Sequence, residues 1–294
     1  MGISKPLVLE VARNTYAINE FGMATCFLLV GSKRGLLIDT GCGMYNLREI
    51  ADELCKVPYD VVLTHGHGDH IGSMDRWDEV WLHEADWDDL SMDKFEENQA
   101  RLLSYPDRME PFGSFEAYDI KKSQARYPQK NPKFIPLNEG QVFDLGDGWK
   151  LDVIHTPGHT AGEVVLIDPT TRILFSGDAC NVNLGLGGAS VNAALKGLLK
   201  VKAREADFDR NFNGHIGYGG GTIHRSMPES VLDDCLHIMR GVCDGSIIGE
   251  ERPGFRPGMP PRLHVNYGHV HIGYDPARII DEGEEPADRS GGTC

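Results

Sequence analysis

The chain has no run of about 18 consecutive apolar residues, so no transmembrane helix is expected. It has no CxxC pair, and its 7 cysteines are scattered and odd in number. That pattern argues against a disulfide framework and against a cysteine zinc ribbon. Positive charge is also scarce. Against 44 acidic residues stand 29 lysines and arginines, a formal charge of −15. A polyanion would be repelled at long range, so no nucleic-acid partner is expected. The longest basic cluster, Lys121, Lys122, Arg126, Lys130 and Lys133, reads as solvated surface. The opening residues lack the apolar core of a signal peptide, because Glu10 soon follows Leu7-Val8-Leu9. Position 6 is Pro6 rather than the Ser or Thr of an acylation start. These features together predict a cytoplasmic protein with reduced thiols and no membrane partner.

What is present is ordinary globular composition over 294 residues, enough for one large domain with a sizeable core. Leu7–Val11, Tyr16–Ile18, Cys26–Val30 and Gly35–Ile38 read as strands, with a hairpin turn at Gly31–Arg34. Leu47, Ile50, Ala51 and Leu54 recur at helical spacing within Asn46–Cys55. Tyr59–Leu63 is a further strand. A second block mirrors the first: strands at Lys150–Ile154, Glu163–Ile167 and Ile173–Phe175. Strand after strand ends in His or Asp, and such ends are where loop residues converge over a rigid sheet. Two sheet-rich halves with outer helices define an α/β protein, an αβ/βα four-layer sandwich. Residues 1–281 read as one domain. The charged, aromatic segment Trp87–Pro136 is an insert placed to form a lid, and 282–294 read as a disordered tail.

The strongest chemical signal is Thr64-His65-Gly66-His67-Gly68-Asp69-His70. A lone histidine is usually structural. Here four side chains of the types zinc accepts in catalytic sites fall within six positions. The interleaved glycines permit a sharp turn, so all four can face one point. His-x-His-x-Asp-His resembles the signature of the metallo-β-lactamase-fold hydrolase superfamily. His159 in Thr156-Pro157-Gly158-His159, Asp178 in Ser176-Gly177-Asp178 and His215 in Asn213-Gly214-His215 follow in the family's order. Asp39-Thr40-Gly41 resembles its buttressing turn. The resemblance implies that His65, His67 and His159 bind one metal, and that Asp69, His70 and His215 bind another. Asp178 would bridge the two.

Zinc is the default ion, and iron or manganese also suit carboxylate donors. Two such cations about 3.5–4 Å apart hold a hydroxide as nucleophile and polarise the electrophile. Asp69 would orient it and pass a proton to the leaving group.

Asp178 makes the chain look like the glyoxalase II, lactonase and phosphodiesterase branches rather than the true β-lactamases. Acidic charge and modest length favour a small substrate, an ester, lactone or thioester. No basic cluster near the C-terminus matches the glutathione site of the glyoxalase II branch. Asn181, Asn183 and Tyr218 are the candidates for an oxyanion donor or substrate contact. The alternatives are a phosphodiesterase or nuclease of the same fold, or a di-iron redox protein. Oligomeric state is not legible. Cys180 either lines the site or packs. His83 and His155 read as structural. His264, His269 and His271 lie in an alternating stretch, with the last two expected on one strand face.

Overall fold

The computed structural model describes residues 5–88, 90, 100, 104, 126, 128–216, 225–254 and 260–287. Seven strands form the first sheet in chain order: β1 (Leu7–Ala12), β2 (Thr15–Glu20), β3 (Ala24–Val30), β4 (Gly35–Ile38), β5 (Tyr59–Val62), β6 (Glu79–Leu82) and β7 (Lys133–Pro136). β1 to β4 pair antiparallel; β4 to β7 pair parallel. A parallel pair needs a crossover. Between β4 and β5 this is α1 (Leu47–Leu54). The second sheet holds β8 (Val142–Gly146), β9 (Trp149–His155), β10 (Val164–Asp168), β11 (Ile173–Phe175) and β13 (Arg210–Phe212) in the order β13-β11-β10-β9-β8.

Strand alternation explains why these sheets stack. Phe27, Leu29, Leu36, Ile38 and Val62 point to one side of the first sheet; Leu151, Val153, Leu166, Phe175 and Phe212 point to the facing side of the second. The Phe27 ring meets those of Phe175 and Phe212 at 5.0 and 5.9 Å. The intervening residues Cys26, Leu28, Leu37, Val61 and Leu63 point outward, where α1 covers them with Leu47, Ile50 and Ala51. On the other flank Ile154, Val165, Ile167 and Leu174 are covered by α2 (Val191–Lys202) and α3 (Val231–Asp244). The result is the helix–sheet–sheet–helix sandwich that the strand pattern predicts. Both faces of each central sheet are buried, so its strands read as near-continuous apolar runs.

Four findings differ from the sequence reading or add to it. Helices α2 and α3 carry patterns that reading passed over. A third sheet, β12 (Asn183–Gly185), β14 (Glu250–Arg252), β15 (Arg262–Tyr267) and β16 (Val270–Tyr274), runs in the order β12-β16-β15-β14. The alternating stretch Leu263–Tyr274 is therefore a hairpin, β15 and β16 turning at Gly268 (φ 54°). His269 sits beside that turn and does not share a strand face with His271. Residues 282–287 do not dangle: Ser190 Oγ donates to Glu284 at 2.6 Å, and Asn192 Nδ2 donates to the Glu285 carbonyl at 2.9 Å. The end of the expected insert, Lys133–Pro136, is β7. Most of the rest of the insert, and all of residues 288–294 of the tail, lie outside the described residues.

Candidate metal centre

Each metal-site side chain leaves the C-terminal end of a strand or the loop that follows. The loop after β5 supplies His65, His67, Asp69 and His70. Loops after β9, β11 and β13 supply His159, Asp178 and His215. The structure brings all seven together. Ligand-type atoms of His65, His67 and His159 lie within 4.8 Å of one another, and so do those of Asp69, His70 and His215. Within the first group His67 Nδ1 is 3.2 Å from His65 Nε2 and 2.8 Å from His159 Nε2. Asp178 Oδ2 lies between the groups, 3.2 Å from His215 Nε2, 3.4 Å from His159 Nε2 and 3.8 Å from His70 Nε2.

The outward ring nitrogens of His65, His70, His159 and His215 are engaged, which fixes their ring faces and tautomers. His70 Nδ1 donates to Asp39 Oδ2 at 2.8 Å, His159 Nδ1 to the Gly185 carbonyl at 2.8 Å, and His215 Nδ1 to the Met23 carbonyl at 2.9 Å. His65 Nδ1 meets Thr64 Oγ1 at 3.1 Å. Asp39 reaches its partners because it adopts a left-handed backbone (φ 63°), a conformation Asp tolerates better than most residues. Its carboxylate also accepts from Thr64 N at 2.7 Å. Gly177, before Asp178, has φ 50°. A Cβ there would stand 2.8 Å from Thr64 and 2.9 Å from Glu163, so no larger residue fits.

Two further buried carboxylates were invisible to motif reading. Asp86 accepts from Gly66 N at 3.0 Å, Thr160 Oγ1 at 2.7 Å and Gly162 N at 2.6 Å. It thereby ties the His65–His67 turn to the loop carrying His159. Glu163 accepts from Asp178 N at 2.5 Å and lies 3.6 Å from His65 Nδ1. The only sequence signal for either is an acid at the end of an apolar strand or just before one.

The electrostatics fit a cation centre. Burial pushes His65 well below its ordinary value, helped by His70, and pushes His67 down to about 4; both stay neutral, the form that binds metal. Burial would lower His70 and His215 as well, but Asp39 lifts His70, and Asp178 lifts His215 to about 10. Burial would raise Asp178, yet His215, His70 and His159 hold it well below the usual carboxylate range. Glu163 is driven up by burial and by the Asp178 charge beside it. The carboxylates around His70 and His215 thus favour positive charge at these two positions, charge that divalent cations would supply. His70 Nε2 and Asp178 Oδ1 are buried with no hydrogen-bond partner, and both belong to the cluster. Buried polar atoms rarely go unsatisfied, so this donor set fits a metal.

The remaining candidates divide. Asn181 is buried and committed to its own loop: Nδ2 donates to the Asp178 carbonyl at 3.3 Å and Oδ1 accepts from Asn183 N at 2.7 Å. Asn183 is exposed on β12. Tyr218 lies outside the described residues. His83 and His155 stack on each other with centroids 4.1 Å apart, and His155 Nε2 donates to the Ala161 carbonyl. Cys180 is fully buried among apolar side chains that include Leu184, Val191 and Cys235.

The model of the metallo-beta-lactamase superfamily matches residues 19–184, more than half of the chain. The chain belongs to that superfamily. Acyl-coenzyme A thioesterase MBLAC2 of Homo sapiens is 32% identical over 167 residues, covering 53% of this chain and 57% of that protein. Hydroxyacylglutathione hydrolase GloC of Haemophilus influenzae is 28% identical over 146 residues, covering 50% and 61%. The chain thus spans well under two thirds of the length of these relatives. A solved metallo-beta-lactamase from Pontibacter korlensis superposes with a TM-score of 0.54 at 19% identity, covering 80% of this chain and 99% of that one. That likeness concerns the fold. Among the described residues no helix is long and apolar enough to cross a membrane.

Proposed function

We propose that the protein is a binuclear metal-dependent hydrolase of a small acyl compound, with a thioester as the first choice and an ester or lactone next. The observation that carries this reading is the position of Asp178 Oδ2 among three histidine nitrogens contributed by both ligand groups. His65, His67 and His159 would hold one divalent ion. Asp69, His70 and His215 would hold the other, with Asp178 shared. Zinc is the default, with iron or manganese compatible. When bound, the ions supply an ionised water near neutral pH and a Lewis acid for the carbonyl.

The chain's own residues supply the rest. Asp69 is partly exposed, 3.6 Å from His215, and is placed to orient the attacking water and to carry its proton toward the leaving group. Asp39 and Gly185 hold the His70 and His159 rings in place. Asn183 is the better placed of the two asparagines for substrate contact, since the Asn181 amide is occupied. The preference for a thioester comes from the relatives, whose names specify an acyl-coenzyme A thioesterase and a hydroxyacylglutathione hydrolase. The free thiols among the described cysteines agree with the cytoplasm as its place.

The test is kcat/KM of zinc-loaded and of manganese-loaded protein on a thioester, an ester, a lactone and a phosphodiester. One acyl substrate should exceed the phosphodiester at least about 100-fold, a gap near 3 kcal/mol in transition-state stabilisation. Elemental analysis should give about two metals per chain. Phosphodiester turnover above every acyl turnover would move the protein to the nuclease reading.

A further inference from the structure

The third sheet has one apolar and one polar face. Leu184, Val265, Ile272 and Tyr274 pack against α2 and α3. Arg262 and His264 on β15, His271 on β16 and Asn183 on β12 alternate with them and turn the other way.

This sheet is joined to the metal centre through β12. Gly185 O accepts from His159 Nδ1, and Gly187 N donates to the Gly158 carbonyl at 3.0 Å. The next carbonyl after Gly185 serves the opposite side: Leu186 O accepts from Arg262 Nη1 at 3.0 Å. The end of β12 is therefore the strip of backbone that separates His159 from the Arg262 guanidinium. That strip is floored by glycine. A Cβ on Gly185 would meet nothing within 4 Å, and one on Gly187 would meet Arg262 Nη2 at 3.0 Å.

In a chain with a 15-charge acidic excess, Arg262 makes no ion pair among the described residues. Its neighbours do. Arg252, its cross-strand partner, pairs with Glu250 at 3.4 Å, and Arg278, which donates to Gly187 O, pairs with Asp281 at 2.7 Å. The imidazoles beside it are tied to one another and to Asn266: His264 Nδ1 lies 2.9 Å from His271 Nε2, and His271 Nδ1 lies 2.8 Å from Asn266 Oδ1. Among the described residues, Arg262 is a strong cation of this face left without an acidic partner.

The geometry points to Arg262 as the anchor for an anionic group, a phosphate or a carboxylate, carried by the thiol portion of the substrate. The acyl carbonyl would lie at the metal centre, and the thiol portion would cross the glycine strip to the guanidinium. This rests on the thioester reading above and adds the carrier's charge to it. It also shows what sequence inspection could not. The sequence shows no basic cluster near the C-terminus, yet folding places Arg262 across the Gly185-Leu186 backbone from His159. A guanidinium is suited to either oxyanion because its planar fork donates two parallel hydrogen bonds.

The test compares three thioesters with the same acyl group, on coenzyme A (phosphates), glutathione (carboxylates) and N-acetylcysteamine (neutral). Metal-loaded protein should prefer one anionic carrier over the neutral one by about tenfold to a hundredfold in kcat/KM. Arg262→Gln should collapse that ratio through KM, and Arg262→Lys should restore part of it. Which carrier wins decides between phosphate and carboxylate. Free coenzyme A, glutathione and N-acetylcysteamine are also titrated by calorimetry into wild type and Arg262→Gln. If no thioester is hydrolysed but an anionic carrier binds and Arg262→Gln loses it, the thioesterase reading fails and the anchor stands. If neither anionic carrier outperforms N-acetylcysteamine in turnover or binding, or Arg262→Gln weakens all three equally, the anchor is overturned.

Discussion

The first sheet delivers four candidate ligands from one loop of six residues, His65 to His70, whereas the second delivers three, His159, Asp178 and His215, from three loops up to 56 residues apart. In the first half chain connectivity does the gathering. In the second, strand register does it: Val164 opposite His155, Leu166 opposite Phe175, and Phe175 beside Phe212 bring distant strand ends level. The two halves are braced differently for the same reason. A loop with glycine at alternate positions has many conformations to lose. It is pinned by two buried carboxylates, Asp39 and Asp86, that accept from its backbone. The dispersed half starts on rigid strands; carbonyls fix its two histidine rings, and the buried carboxylates Asp86 and Glu163 accept from its His159 and Asp178 loops.

Asp178 is where the two ligand groups meet, so its removal should have the largest effect. Asp178→Ala is expected to lose metal from both groups and to lower kcat/KM at least about 10³-fold, roughly 4 kcal/mol. Elemental analysis after gel filtration is the check. Retention of two metals with ordinary activity would mean that the two groups are independent and that no shared carboxylate is needed.

A smaller effect should separate the two ligand groups. Asp86 spans the turn between His65 and His67 and the loop around His159, the three residues of one group, and touches none of the other. Asp86→Asn keeps size but offers an amide where three donors converge, leaving at least one N–H or O–H unsatisfied. Chelator competition should show one metal weakened about 10–100-fold, the range typical of lost supporting partners, with the second held as before. Equal weakening of both metals would show that Asp86 supports the fold as a whole.

The same contrast explains what could be read from the sequence. The compact motif at Thr64–His70 carries its own evidence, because four ligand types in six positions have few structural explanations. His159, Asp178 and His215 were legible only through the family's order, since a single His or Asp after a strand is common. The central strands were visible because burial on both faces makes apolar runs. Helices α2 and α3 were missed although their apolar residues recur at helical spacing. The hairpin at β15 and β16 was missed although the alternation changes phase at the turn: apolar residues fall at Leu263, Val265 and Tyr267 before Gly268 and at Val270, Ile272 and Tyr274 after it. Asp86 and Glu163 could not be found at all: their importance lies in which backbone N–H groups they face, and only tertiary structure sets that.

The last predicted effect falls on stability rather than on activity and concerns the bracing of the first half at one remove from the candidate ligands. Glu20, the last residue of β2, is buried and accepts from the backbone N–H groups of Cys42 and Tyr45. The loop it holds follows Asp39, and its Gly41 carbonyl accepts from Gly72 N at 2.6 Å, just past His70. Burial raises Glu20 from 4.5 to about 7, against the opposing pull of those N–H groups. The folded state therefore binds the Glu20 proton more tightly than the unfolded state does. Stability from this group is complete below pH 4.5 and is lost as pH rises through 7, by on the order of 3 kcal/mol. Glu20→Gln cannot ionise, so its unfolding free energy should fall less than that of wild type between pH 4.5 and 8. Urea unfolding of both proteins across that range reads the difference. Parallel curves would show that Glu20 does not titrate in this window, and the bracing of the 41–45 loop would then be insensitive to pH.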